Sequence, residues 1–194
     1  MEVVFIKDKL AIFDLDGTLF DTRRVNYSAY GKALKEFGIR LDYDFFSAEC
    51  NGRHYKDFLP RIMGNLTDAE AKIEEVHKRK KEYYSLFLCE AVSNERLFDL
   101  IRALRDTYHT ALVTTASGKN CDELLRYFGK EKEFDLLITG EDVQKKKPDP
   151  EGFLKAMQYY GISGENTIVF EDSAVGIAAA EECGATVFVA RGFA

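Results

Sequence analysis

The hydrophobic pattern changes period twice along this chain. Residues 10–13 form a short apolar run ending in a polar turn, which reads as a buried strand delivering its last residues to an exposed edge. From residue 22 to 87 the apolar positions recur at helical spacing instead. They predict helices over 22–37, 42–50, 54–63 and 67–87, with no strand between them. Gly38 and Gly64-Asn65 are suitable stops, and Thr67 with Glu70 three residues on matches a capping box. After Ser93 helices over 94–106, 120–128, 151–160 and 175–183 alternate with strands over 110–114, 134–139, 167–170 and 186–190. Pro150 suits the first turn of its helix, where a missing N–H costs nothing.

Short apolar strands separated by helices imply an α/β fold built on a doubly wound parallel sheet. A strand–crossover–strand unit needs only about 30 residues. Here the second strand of the rhythm starts near Thr110, so the surplus reads as a small all-helical domain inserted after the first strand. Residues 1–20 and 89–194 are then the α/β core and residues 21–88 the helical cap. In such sheets ligands bind outside the carboxyl ends of the strands. The insertion leaves from that same edge and is expected to cover the site.

The length of 194 residues suits one domain carrying an insertion, and the hydrophobic and charged fractions of 46% and 31% are ordinary for a soluble protein. A net charge of -6 with no basic stripe argues against a nucleic-acid partner. The basic run 77–81 reads as a solvated helix face. The charged first eight residues do not make a secretory signal, and no apolar run approaches membrane-spanning length. A cytoplasmic protein, monomeric or weakly dimeric, is expected, with no membrane partner. Cys50, Cys89, Cys121 and Cys183 are scattered and fit reduced, mostly buried thiols. His54, His77 and His109 form no metal pattern.

Four features fall at carboxyl ends of the predicted strands. In Asp14-Leu15-Asp16-Gly17-Thr18 two carboxylates two residues apart on extended backbone point the same way, which calls for a cation between them. Mg²⁺ fits, since it prefers hard oxygen ligands and shares its shell with phosphate. Thr114 and Thr115 open a strand-to-helix turn suited to phosphate oxygens, or to simple helix capping. Lys145-Lys146-Lys147 precedes the rigid turn Pro148-Asp149-Pro150, where a lysine could neutralise a phosphoryl group. Glu171-Asp172 puts adjacent acids at the end of a buried strand, more than a helix N-terminus needs.

Taken together these residues resemble the haloacid dehalogenase superfamily, in the branch of phosphoglycolate phosphatases and β-phosphoglucomutases. Asp14–Thr18 matches the first family motif, Thr114 the second, Lys147 the third, and Glu171-Asp172-Ser173 with Gly176 the fourth. The resemblance implies a Mg²⁺-dependent phosphatase hydrolysing a small phosphate ester through an aspartyl-phosphate. It makes Asp14 the nucleophile and Asp16 the acid and base. Thr114, Thr115 and Lys147 become the phosphate ligands. Mg²⁺ would be held by the Asp14 carboxylate, the Asp16 backbone carbonyl and Asp172, with Glu171 a ligand or its supporting partner. An acid at Asp16 argues against dehalogenation. Arg53, between two cap helices, resembles the specificity loop and could clamp a substrate anion, with Arg23 and Arg24 as further candidates. The alternatives are a β-phosphoglucomutase-like mutase, weakened because Asn26 stands where those relatives carry a histidine, and a non-catalytic regulatory or binding protein. The Pro-Gly pair common in relatives is absent from 90–94, and the chain ends sooner after its last strand than relatives do, implying a trimmed sheet or an edge covered by a partner.

Overall fold

Leu10 and Ile12 face one side of the first strand, Ala11 and Phe13 the other, and all four are fully buried. A strand covered on both faces belongs in the middle of a sheet. The computed structural model, which describes residues 7–64 and 69–193, gives it that place as β1 (Lys9–Phe13). Shortly beyond it β2 (Phe20–Asp21) pairs antiparallel with β3 (Val92–Ser93). The chain then adds β4 (Tyr108–Val113), β5 (Leu136–Ile138), β6 (Thr167–Glu171) and β7 (Thr186–Val189). The five long-range strands form one parallel sheet in the order β5-β4-β1-β6-β7.

The described chain packs as two units, one containing the sheet and the other spanning Thr22–Ala91. The second unit is helical: α1 (Arg23–Lys35), α2 (Tyr43–Glu49), α3 (Tyr55–Met63), α4 (Ala69–Tyr83) and a 3₁₀ segment, Tyr84–Glu90. Its core is Tyr30, Leu34, Phe46, Phe58, Leu59 and Val76, drawn from the helical-period positions. Gly38, at φ +73, lets the chain reverse after α1, with the Ile39 N–H bonded to the Leu34 carbonyl at 3.1 Å.

In the sheet unit α5 (Glu95–Leu104), α6 (Gly118–Tyr127), α7 (Glu151–Tyr160) and α8 (Ala174–Glu182) follow successive strands. Phe153 and Met157 of α7 and Ala179 of α8 pack on the Leu10, Ile12 and Val169 face. The opposite face is aromatic. Phe13 stacks on Phe170 at 4.6 Å and meets Phe134 at 6.1 Å, and Phe98 of α5 lies 6.5 Å from Phe134. Each such buried ring contributes roughly 1.5–3 kcal/mol.

Several details differ from the sequence expectations. The two-residue strands β2 and β3 are too short to show an alternation, and the end of the predicted 67–87 helix is 3₁₀. Strand β5 is half its expected length, because the Thr139 N–H goes to Asp142 Oδ2 (2.8 Å) and the Thr110 N–H to Asp135 Oδ2 (3.0 Å). Pro150 is the N-cap residue of α7 instead of lying in its first turn. The run 77–81 is not simply solvated. Lys80 is buried beside the rings of Tyr30 and Tyr84, and His77 bonds the Tyr30 hydroxyl at 3.1 Å. All four cysteines are free, and Cys89 is exposed. The capping box at Thr67 falls outside the described residues. Among the described residues no helix is long and apolar enough to cross a membrane.

Candidate active site

Parallel strands point their carboxyl ends one way, so the residues after β1, β4 and β6 meet at one edge. Asp14 follows β1, and its N–H is bonded to the Phe170 carbonyl at 3.0 Å, which ties the end of β1 to β6. Glu171 is the last residue of β6, only 1% exposed, and Asp172 follows it. Thr114 follows β4, with its N–H on the Ile138 carbonyl at 2.9 Å.

Lys147 arrives from the loop between β5 and α7. Its ammonium donates to Asp14 Oδ1 (2.6 Å), Glu171 Oε1 (2.7 Å) and the Val113 carbonyl (3.1 Å), using all three of its hydrogens. The other Glu171 oxygen accepts from the Ser173 N–H (2.8 Å) and hydroxyl (3.0 Å). Ser173 also caps α8 through Gly176 N–H, so the helix start has its own cap and Glu171 is spent on Lys147. Burial alone would pull the ammonium's pKa down. Asp14 and Glu171 together outweigh it and hold Lys147 above its ordinary value.

Two carboxylates meet this one ammonium, and a third, Asp172, lies beside those two. Burial pushes Asp14 up to about 8 against the pull of Lys147, with Glu171 and Asp16 adding to the rise. Burial and then Glu171 push Asp172 up to about 6, opposed by the Thr18 hydroxyl, which donates to Asp172 Oδ1 at 3.3 Å. Oxygens of Asp14, Glu171 and Asp172 lie within 4.8 Å of one another. An all-oxygen donor set with more negative charge than its lysine can balance fits a hard divalent cation such as Mg²⁺. Gly17, at φ +89, brings bare backbone beside this cluster, where a Cβ would meet the Asp172 carboxylate.

The family model of haloacid dehalogenase-like hydrolases matches residues 11–190. The chain belongs to this family. The hydrolase is 31% identical over 176 residues to a phosphorylated carbohydrates phosphatase of Thermotoga maritima, spanning 89% of this chain and 80% of that one. It is 28% identical over 173 residues to the fructose-1-phosphate phosphatase of Escherichia coli, spanning 89% and 91%. Among solved structures, CbbY from Rhodobacter sphaeroides in complex with phosphate superimposes with TM-score 0.80 at 26% identity, covering 95% of this chain and 87% of that one.

Of the hydrolase residues singled out in the sequence, Asp14, Lys147, Glu171 and Asp172 form one contact cluster. Thr114 is buried and its hydroxyl accepts the Ala116 N–H at 3.0 Å, while Ser117 caps α6. Thr115 is exposed. Asp16 is half-buried in a turn where the Gly17 N–H bonds the Phe20 carbonyl at 2.8 Å, and its carboxylate is outside the converging acidic group. Arg53 belongs to the helical unit, exposed in the loop before α3 with Nη2 3.9 Å from Glu49. Arg24 lies over the Tyr43 ring at 5.4 Å. Sequence reasoning gave Thr18 and Ser173 no role. Their placement inside the matched motifs was the available signal.

Proposed function

We propose that this hydrolase is a phosphatase that cleaves a small phosphorylated metabolite through an aspartyl-phosphate on Asp14. The observation that carries the reading is the buried Asp14 carboxylate with the Lys147 ammonium 2.6 Å from Oδ1, at the carboxyl end of the central strand. A carboxylate can approach an anionic phosphoryl group only where positive charge offsets their repulsion. Lys147 supplies part of it. Asp14, Asp172 and the Asp16 backbone carbonyl are read as the groups that would hold Mg²⁺, with Glu171 anchoring Lys147. The cation when bound would supply the remaining positive charge against the phosphoryl oxygens.

In this reading an Asp14 oxygen attacks phosphorus, and the ester oxygen leaves with a proton from Asp16. Asp16 then takes a proton from water, which attacks the phosphorus of the aspartyl-phosphate and frees phosphate and Asp14. Thr114 and Thr115 bind phosphoryl oxygens. Residues 21–88 serve as a cap that selects the substrate, with Arg53 as a clamp for its anionic group. The named phosphatases of phosphorylated carbohydrates among the relatives support a sugar phosphate as substrate.

The experiment is phosphate release from a panel of phosphorylated metabolites, with Mg²⁺ or with chelator, for the wild type and Asp14→Asn. Metal-dependent release that disappears in Asp14→Asn is the expected result; retained release removes Asp14 from the nucleophile's place. Similarity to a candidate β-phosphoglucomutase of Thermotoga maritima (26% identity, TM-score 0.73, 96% of this chain and 87% of that one) favours a mutase as the second reading. A requirement for a bisphosphate primer would select it. A purely binding role is disfavoured because no chemical group of the site is missing.

A further inference from the structure

Lys147 can stand between Asp14 and Glu171 only if the backbone carrying it is held. That backbone runs from Thr139 to Pro150 without helix or strand. Its start is held by the Thr139 and Asp142 bonds and by the Gly118 N–H on Glu141 Oε2, and residues 142–145 are held by the first turns of α7. Glu151 accepts the Gln144 N–H at 3.0 and 3.2 Å on its two oxygens and the Lys145 N–H at 2.8 Å. Lys155, one turn later, is 2.8 Å from Glu151 Oε1 and donates to the Asp142 carbonyl at 2.5 Å. The same turn supplies Phe153, whose ring centre lies 4.9 Å from the Lys147 ammonium. It also supplies Gly152, where a Cβ would come within 2.9 Å of Val113 Cγ1. Residues 142–145, floor and acceptor strand are therefore referred to the start of one helix.

An acid in a first helical turn is ordinarily explained by the helix dipole. That account leaves the geometry unexplained. The Glu151 N–H is itself taken by Asp149 Oδ1 at 3.1 Å, and the Glu151 carboxylate turns outward to the loop's N–H groups. Lys155 and those two N–H groups hold Glu151 ionised, at about 2.

We propose that Glu151, braced by Lys155, is the positioning residue that sets the Lys147 ammonium in the active site by fixing the backbone of residues 142–145. Loss of this clasp leaves Lys147 chemically intact and misplaced.

The test is acetylation of the full-length protein by N-acetoxysuccinimide, read lysine by lysine by peptide mass spectrometry, for wild type, Glu151→Ala and Glu151→Asp. Glu151→Asp keeps a charge at the helix start but is one methylene too short to span both N–H groups. Exposed Lys146 is the reference for reagent, and Lys130, 12% exposed and paired with Glu95, reports global opening. Lys147 labelling is expected to rise several-fold in both variants while Lys130 stays protected. In the kinetic arm, which rests on the phosphatase reading, kcat for 4-nitrophenyl phosphate falls by roughly 10- to 100-fold with KM within about twofold. Wild-type protection of Lys147 in both variants overturns the proposal, as does a parallel rise at Lys130. A wild type that releases no phosphate ends the phosphatase reading and leaves the labelling to decide the clasp.

Discussion

A Cβ built on Gly17 would stand 2.1 Å from Asp172 Oδ2. The turn after β1 and the end of β6 thus meet through backbone on one side and a carboxylate on the other. Gly17→Ala must both strain a positive φ, by about 1–2 kcal/mol, and push Asp172 away. Phosphatase turnover is expected to fall on the order of 100-fold, with a fall in the thermal midpoint too small to unfold the chain. Parallel activity and melting measurements check this; loss of fold without a prior loss of turnover would contradict it.

Lys147→Met removes the ammonium shared by Asp14 and Glu171. Turnover should drop by roughly 10²–10³. The stability loss should be larger in alkali than in acid, because the two buried carboxyls escape their missing partner by taking up protons. Urea midpoints across pH, compared with wild type, give the sign. A loss independent of pH would mean that packing of the lysine stem, not its charge, is what matters.

Metal-free protein should lose stability as pH rises. Asp14 and Asp172 stand at about 8 and about 6 in the folded chain against an ordinary 3.8. The folded state therefore holds protons that the unfolded state has released. That contribution is complete below the ordinary carboxyl value and disappears as pH climbs through about 6 and then about 8. A divalent cation replaces those protons, so Mg²⁺ should raise the melting point most at alkaline pH and release protons on binding. Calorimetry in buffers of different ionisation enthalpy measures the release. Absence of any proton release would place the cation elsewhere.

The helical unit carries the opposite dependence. Burial, with Lys80 and Lys81 nearby, holds His77 down to about 3, where its ring stacks on Tyr55 at 3.7 Å and bonds Tyr30. Its contribution is present above the ordinary value of 6.5 and is lost as pH falls from there toward 3. Relative to His77→Gln, wild type should lose stability progressively over that window and keep a constant difference above it. Denaturant melts of the pair decide; a flat difference throughout would show that the buried ring does titrate.

The legible parts of this fold are those written in side-chain periodicity. Apolar runs ending in Asp14, Thr114 and Glu171 announce buried strands, and carboxylates at such ends announce a site. The lysine run shows the limit. Lys145, Lys146 and Lys147 are identical as letters, and only the fold buries one of them, 8% exposed, between two acids. Thr18 and Asp172 are 154 residues apart, so their bond has no local trace. Glu151 was illegible for another reason. Its i,i+4 pairing with Lys155 looks like any surface helix pair, and the partners that tie it to the loop are backbone N–H groups, which every residue but proline has.

Strands β2 and β3 carry one more consequence. Phe20 pairs with Ser93 and Asp21 with Val92, and Asn94 continues the pairing through Leu19 and Thr18 carbonyls at 2.8 and 3.2 Å. The two ends of everything between are thus the two legs of one hairpin. Replacing residues 22–91 by a two-residue Asn-Gly turn would close that hairpin without altering any crossover of the five-stranded sheet. Lengthening the loop is equally cheap, since each doubling costs only about 0.6 kcal/mol in closure entropy. In topological terms the stem is a socket: what is plugged into it can be exchanged, enlarged or removed while the strands that carry Asp14, Thr114 and Glu171 keep their order.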